Sequence, residues 1–275
     1  MVKMGIVWER TTAFLGDRIS AVLPIALIGI FVPLAIMEAL QPLQATDAQA
    51  VKIGLGVAQL VQGIVVLWAK LAITAIVVDR LDAGAGGRLG LIRLPVVIGV
   101  ALVLLAALAL LLVPLPLILA ATGADLMAMA HRDLDLSPTG LAVVALYVVI
   151  LIPLLVFLLA RLLLVTPILV AERVGLRAIP RSWRLTDGLT FPIIGVILLY
   201  LLVSLVAELA TKSVVGTLLT LLLGGGGPIT TAKVLTGILV AGVGTIFTVI
   251  QAVFVAQLYE AVCGHGGTRG VAVPA

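Results

Sequence analysis

The sequence predicts an all-α fold: a polytopic membrane helix bundle of about six transmembrane helices, with interfacial helices at its edge. Three observations predict it. Of the 275 residues, 63% are hydrophobic and 11% charged, whereas a water-soluble domain carries about 25% charged and about 45–50% apolar residues. The mean hydropathy is +1.33. The apolar residues also gather into about six runs of roughly 20 residues, the length that crosses a hydrocarbon core of about 30 Å. The loops between them are short and leave no room for an attached soluble catalytic domain.

Taken in order, residues 1–18 mix Trp8, Phe14 and Leu15 with Lys3, Arg10 and Arg18. That composition suits a short helix lying in the interface and not crossing it. The membrane domain follows over 19–260. Its first apolar run, Ala21 to Ala39, is too long for the apolar part of a secretory signal and has no A-x-A site after it, so it reads as an uncleaved span from about Ile19 to Leu40. The second span covers about Ile53 to Val78, with Lys70 inside it. A Gly- and Arg-rich stretch follows Asp79, and Pro95 opens a third span to about Ala121, punctuated by Pro114 and Pro116. Residues 122–140 form the most polar loop.

The fourth run, Leu141 to Ala171, has 31 residues. As one helix it would measure about 46 Å, so it must tilt, kink or protrude, and Pro153 and Pro167 mark two places to kink. The fifth span covers about Thr190 to Leu209. Residues 213–228 are too few to cross before the four glycines at 224–227, and read as interfacial or re-entrant; the glycines lack the Lys-Ser/Thr of a phosphate loop and read as a hinge or turn. The last span covers about Val234 to Tyr259, and 261–275 form a flexible tail.

Lys and Arg fix the expected orientation. With the N-terminus cytoplasmic, eleven lie inside, among them Arg80, Arg88, Arg93 and the arginines of 173–184, against Lys52, Arg132, Lys212 and Lys233 outside. This bias predicts a bacterial-type cytoplasmic (inner) membrane protein with both termini cytoplasmic. A seventh span at 213–228 would leave the bias almost unchanged.

The small counts exclude several chemistries. A single cysteine, Cys263, allows no intrachain disulfide and no cysteine-rich zinc site, and the two histidines, His131 and His265, lie outside the apolar runs. His131, Arg132, Asp133 and Asp135 make a weak metal signal, with one imidazole and two carboxylates on a loop. No metal and no cofactor is expected. The excess of basic over acidic residues sits at the ends of apolar runs, where it meets lipid headgroups and forms no nucleic-acid patch.

Candidate functional residues fall into three groups. Lys70 and Arg161 are charges deep within apolar runs, each roughly 14–16 Å from the cytoplasmic end of its helix. Tyr200 and Gln251 lie at the same depth, so the four compose an intramembrane polar layer able to receive an anion such as a lipid phosphate. The same two cations also fit snorkelling toward the inner headgroups. Arg173, Arg177, Arg181 and Arg184 form one stripe if their segment is helical, and with Trp183 they read as lipid-headgroup contacts on an interfacial helix. Pro180 either interrupts that helix or starts a second one, which divides the stripe into two pairs. The same arginines equally suit holding the fourth and fifth spans in orientation. In the last span Gly237, Ala241, Gly244 and Thr248 make a helix-packing seam of small residues, within the chain or in a dimer. Glu38 and Glu208, at the outer ends of their spans, are read as meeting water.

The stretch RLLLVTPILVAERVGLRAIPRSWRLTDG, Arg161 to Gly188, resembles the signature of the glycerophosphoryl diester phosphodiesterase membrane-domain family: an Arg inside the fourth span, a Pro, a Glu at the membrane exit, then Arg-Ser-Trp-Arg-Leu. Pro180 stands where a leucine-like residue is usual. The resemblance implies six spans and an interfacial N-terminus. The soluble phosphodiesterase barrel that accompanies some members, with its paired histidines and metal-binding carboxylates, has no counterpart here, so the family name implies no activity. With no acid–base or nucleophile pair at one depth, the sequence predicts a non-enzymatic membrane protein that engages anionic membrane lipids, a protein partner or a second copy of itself through its basic loops. A carrier of small molecules or lipids, working through the cationic layer, is the alternative. Nucleic acid is not an expected partner.

Overall fold

A computed structural model describes residues 3–41, 43, 48–121, 138–224 and 230–267. These are helical with no strand among them, and six helices are long and apolar enough to cross a membrane. The chain is a multi-pass membrane protein.

The first span is one helical rod in three parts, α1 (Met4–Ala26), a π-turn (Leu27–Phe31) and α2 (Val32–Leu40). Arg18 leaves helical geometry at φ −121° and ψ 19°. The break lies where the sequence separates interfacial segment from span. Pro33 follows the π-turn, which absorbs the donor that proline lacks. The second span is α3 (Gln49–Val78).

The third span is α4 (Ala83–Leu112) and α5 (Pro114–Ala121). The helix starts at Ala83, twelve residues before Pro95, so the expected Gly-rich connection is helix. Asp82 caps it by accepting from the Ala85 N–H at 3.1 Å. Gly86 and Gly90 are used for close approach to α3. A Cβ on Gly86 would stand 2.6 Å from Ile76 Cγ1, and one on Gly90 3.0 Å from the Ala72 nitrogen. Trp68 Nε1 donates to the Gly87 carbonyl at 2.9 Å across the same contact.

The fourth span divides into α6 (Pro138–Leu162) and α7 (Val165–Ala171). Pro167 cannot donate to the Leu163 carbonyl, and the rod turns at Leu163 and Leu164. Pro153 stays within α6. A short amphipathic helix, α8 (Ala178–Leu185), leads to the fifth span, α9 (Thr190–Ala210). This span continues through a π-turn (Thr211–Val215) into α10 (Gly216–Leu223). Residues 213–223 therefore prolong the fifth helix at the end away from α8 instead of forming a separate re-entrant element. Their apolar count is too low for an independent span but sufficient to prolong an existing one. The last span is α11 (Thr231–Gly267).

The spans are unequal in burial. The first, second and last have 28%, 44% and 39% of their most apolar window buried, against 11%, 6% and 6% for the third, fourth and fifth. The former compose the inner bundle and the latter lie outside it. In the inner bundle Ile30, Ala69, Ala72, Ile73, Ile76, Val253 and Ala256 are fully buried. A second core gathers Leu71, Ala75, Leu164, Ile168 and Leu258, with α7 packed on α3. The seam of the last span faces the first span of the same chain: a Cβ on Gly237 would stand 3.1 Å from Glu38 Cβ, and one on Gly244 3.6 Å from Leu34 Cδ1. Ala241 is buried beside them, and the Thr248 hydroxyl donates to the Gly244 carbonyl at 2.8 Å.

Candidate functional site: the basic rim around α8

Ending α6 at Leu162 leaves its last carbonyls without helical partners. The Arg161 carbonyl is satisfied from α8 and the turn after it: Ser182 Oγ donates to it at 2.7 Å and Thr186 Oγ1 approaches at 3.5 Å. Ala178, Ser182 and Thr186 recur every fourth residue and are fully buried, so they form the underside of α8. Pro180 lies in the first turn of α8, where an N–H has no helical acceptor to lose. The helix thus begins just before the proline. The four arginines consequently do not share one helical stripe: Arg173 sits in left-handed backbone at φ 55° and Arg177 is the N-cap, leaving Arg181 and Arg184 within the helix.

All four arginines and Trp183 are exposed. Arg181 Nε donates to Glu172 Oε1 at 3.1 Å, and the Tyr259 hydroxyl donates to the same oxygen at 3.2 Å. Glu172, at the end of α7, thereby ties α8 to α11.

Arg161 is engaged from several sides. Its guanidinium carbon lies 5.4 Å from the centroid of the Phe157 ring and 5.2 Å from that of Trp183, two rings that meet edge to face. Nη1 donates to the Trp183 carbonyl at 3.0 Å, and both Nη atoms reach Asp187 Oδ1 at 3.4 Å. The side chain is 13% exposed while that of Asp187 is 78% exposed, so the pair grades from an enclosed pocket to the surface. Nε is buried with no partner. Asp187 lies 26 residues away, and no local periodicity announces it as a partner.

The other members of the sequence-derived layer lie elsewhere. Lys70 Nζ donates to Gln251 Oε1 at 3.2 Å, joining α3 to α11. Tyr200 meets Phe247 edge to face at 5.9 Å, one turn before Gln251 on α11. Lys70 and Gln251 are together, Tyr200 adjoins their helix, and Arg161 belongs to the α6–α8 junction. At the end opposite α8, Glu38 is not simply hydrated but pairs with Lys212 at 3.5 Å, an ion pair that joins the first and fifth spans. Glu208 carries no such pair among the described residues. His131, Arg132, Asp133 and Asp135 lie outside the described residues, as do Gly225 to Gly227.

Comparison with protein-family models, with curated proteins and with solved structures finds no match to this chain.

Proposed function

We propose that this multi-pass protein is a non-enzymatic membrane element whose basic rim, Arg173, Arg177, Arg181, Arg184 and Trp183, engages anionic lipid headgroups on the cytoplasmic face of an inner membrane. One observation carries the reading: α8 buries Ala178 and Ser182 beneath it and turns Arg177, Arg181, Trp183 and Arg184 outward. A helix held by its small-residue face, with arginines and an indole at the surface, has the composition that binds a charged lipid surface, although Arg181 also pairs with Glu172 and the Trp183 ring packs on Arg161 and Phe157. Each basic residue near such a surface contributes about 1 kcal/mol. The eleven-to-four distribution of Lys and Arg supports the orientation. The motif from Arg161 to Gly188 supports kinship with the glycerophosphoryl diester phosphodiesterase membrane domains, without their barrel. The carrier reading draws less support, because Arg161 is occupied by Asp187 and two rings while Lys70 is bonded to Gln251.

The test is lipid selectivity. Purified protein in vesicles of mixed phosphatidylcholine and phosphatidylglycerol is probed with spin-labelled forms of each lipid. The reading expects a preference for phosphatidylglycerol that falls severalfold in the triple variant Arg177→Gln, Arg181→Gln, Arg184→Gln. An equal preference in both proteins would refute it.

A further inference from the structure

A concave site opens at the same end of the bundle as α8 and shares no lining residue with its rim. Three elements line a cleft of about 500 Å³: Arg10, Asp17 and Arg18 from α1, Arg80 from the turn after α3, and Gln257 and Glu260 from α11. Both irregular backbone positions nearby carry arginines of this cleft. Arg18 is the break in α1, and Arg80 holds φ 51°, a left-handed conformation that costs a bulky side chain of order 1 kcal/mol.

The groups in the cleft face one another without closing into direct pairs. Glu260 lies in the field of Arg80 and Arg10. Even so, none of the three arginines makes a hydrogen bond or ion pair with Asp17, Glu260 or any other described residue. Gln257 is 7% exposed, and its amide has no hydrogen-bond partner among the described residues. The amide itself is not sealed off: it keeps access to solvent at the cleft. Here it faces a polar cleft with three guanidiniums against two carboxylates, a net positive enclosure.

We infer that this cleft is a binding site for a phosphate group carried on an ester, held by Arg10, Arg18 and Arg80 with the Gln257 amide as its neutral donor. One phosphodiester charge balances the excess guanidinium, and a guanidinium fork matches two phosphate oxygens. The ester is a lipid headgroup entering from the inner leaflet or a free phosphate compound from solution; the chemistry of capture is common to both. No residue is shared with the α8 rim, so the two proposals fail separately.

The experiment titrates purified full-length protein in detergent with dioctanoyl-phosphatidylglycerol and, separately, with inorganic phosphate. Saturable binding of either probe is expected, with the tighter one naming the source. Arg10→Gln and Arg80→Gln each weaken it at least about tenfold, as loss of a charged hydrogen bond requires, while Arg184→Gln on the rim leaves it unchanged. Glu260→Gln removes a competing anion and tightens binding severalfold, which keeps the test decisive if the arginine variants do not fold. Absence of saturable binding for both probes, equal loss in Arg184→Gln, or unchanged or weaker binding in Glu260→Gln would overturn the assignment.

Discussion

Arg161 and Asp187 meet at 3.4 Å across the junction of α6 and α8, with the arginine's guanidinium held between Phe157 and Trp183. The two ends of this pair are not equivalent. The carboxylate is mostly in water, where an ion pair contributes about 0–1 kcal/mol. The guanidinium is largely enclosed and also bonds the Trp183 carbonyl, so most of the interaction resides in its ring contacts and that bond.

Asp187→Asn is therefore expected to lower stability by less than about 0.5 kcal/mol. Arg161→Lys loses the planar stacking surface and the fork geometry and is expected to cost about 1–3 kcal/mol. Equilibrium unfolding in mixed micelles measures both; equal losses would mean that the ion pair, not the ring cage, holds α8.

The contact between α3 and α4 makes a steric prediction. Gly86→Ala places a methyl 2.6 Å from Ile76 Cγ1 and is expected to destabilise by about 1–3 kcal/mol through overpacking. Gly84→Ala has open space around it and is expected to be neutral or stabilising by up to about 1 kcal/mol through helix propensity. Thermal denaturation of the two variants side by side separates close approach from propensity.

Lys70 and Gln251 make a prediction of order. Gln251→Leu removes the acceptor from a half-buried ammonium and leaves that charge without a protein partner, expected to cost about 1–3 kcal/mol. Adding Lys70→Met removes the stranded charge, so the double variant is expected to be more stable than Gln251→Leu alone. A double-mutant cycle by unfolding in bicelles reads this directly; additive losses would mean the bond contributes nothing.

Hydropathy makes the six spans legible because the bilayer imposes the same apolar length on each of them. The break at Arg18 is legible for a related reason, since a charge between two apolar runs marks where interface gives way to hydrocarbon. The helix at Ala83 is not: glycines and arginines carry the composition of a loop, and only the surface of α3 shows that Gly86 and Gly90 are there for contact. That residues 213–223 continue the fifth helix is likewise not legible, because a run too short to span alone can extend its neighbour. For the candidate sites, depth counted along each helix is readable but azimuth around the bundle is not. Lys70 and Gln251 lie on facing sides of α3 and α11, whereas Arg161 points to α8. The partners Asp187 and Lys212 come from the turn after α8 and from the fifth span, at separations that no periodicity encodes.

The central claim is that α8 and its arginines lie at the cytoplasmic lipid interface. The most direct measurement replaces the single native thiol by Cys263→Ser and introduces Arg177→Cys on the rim or Thr217→Cys at the opposite end, then labels each with a membrane-impermeant maleimide. The account predicts that Arg177→Cys labels in inside-out vesicles and not in intact spheroplasts, with Thr217→Cys showing the reverse. Labelling of Arg177→Cys from the outside of intact spheroplasts would contradict it.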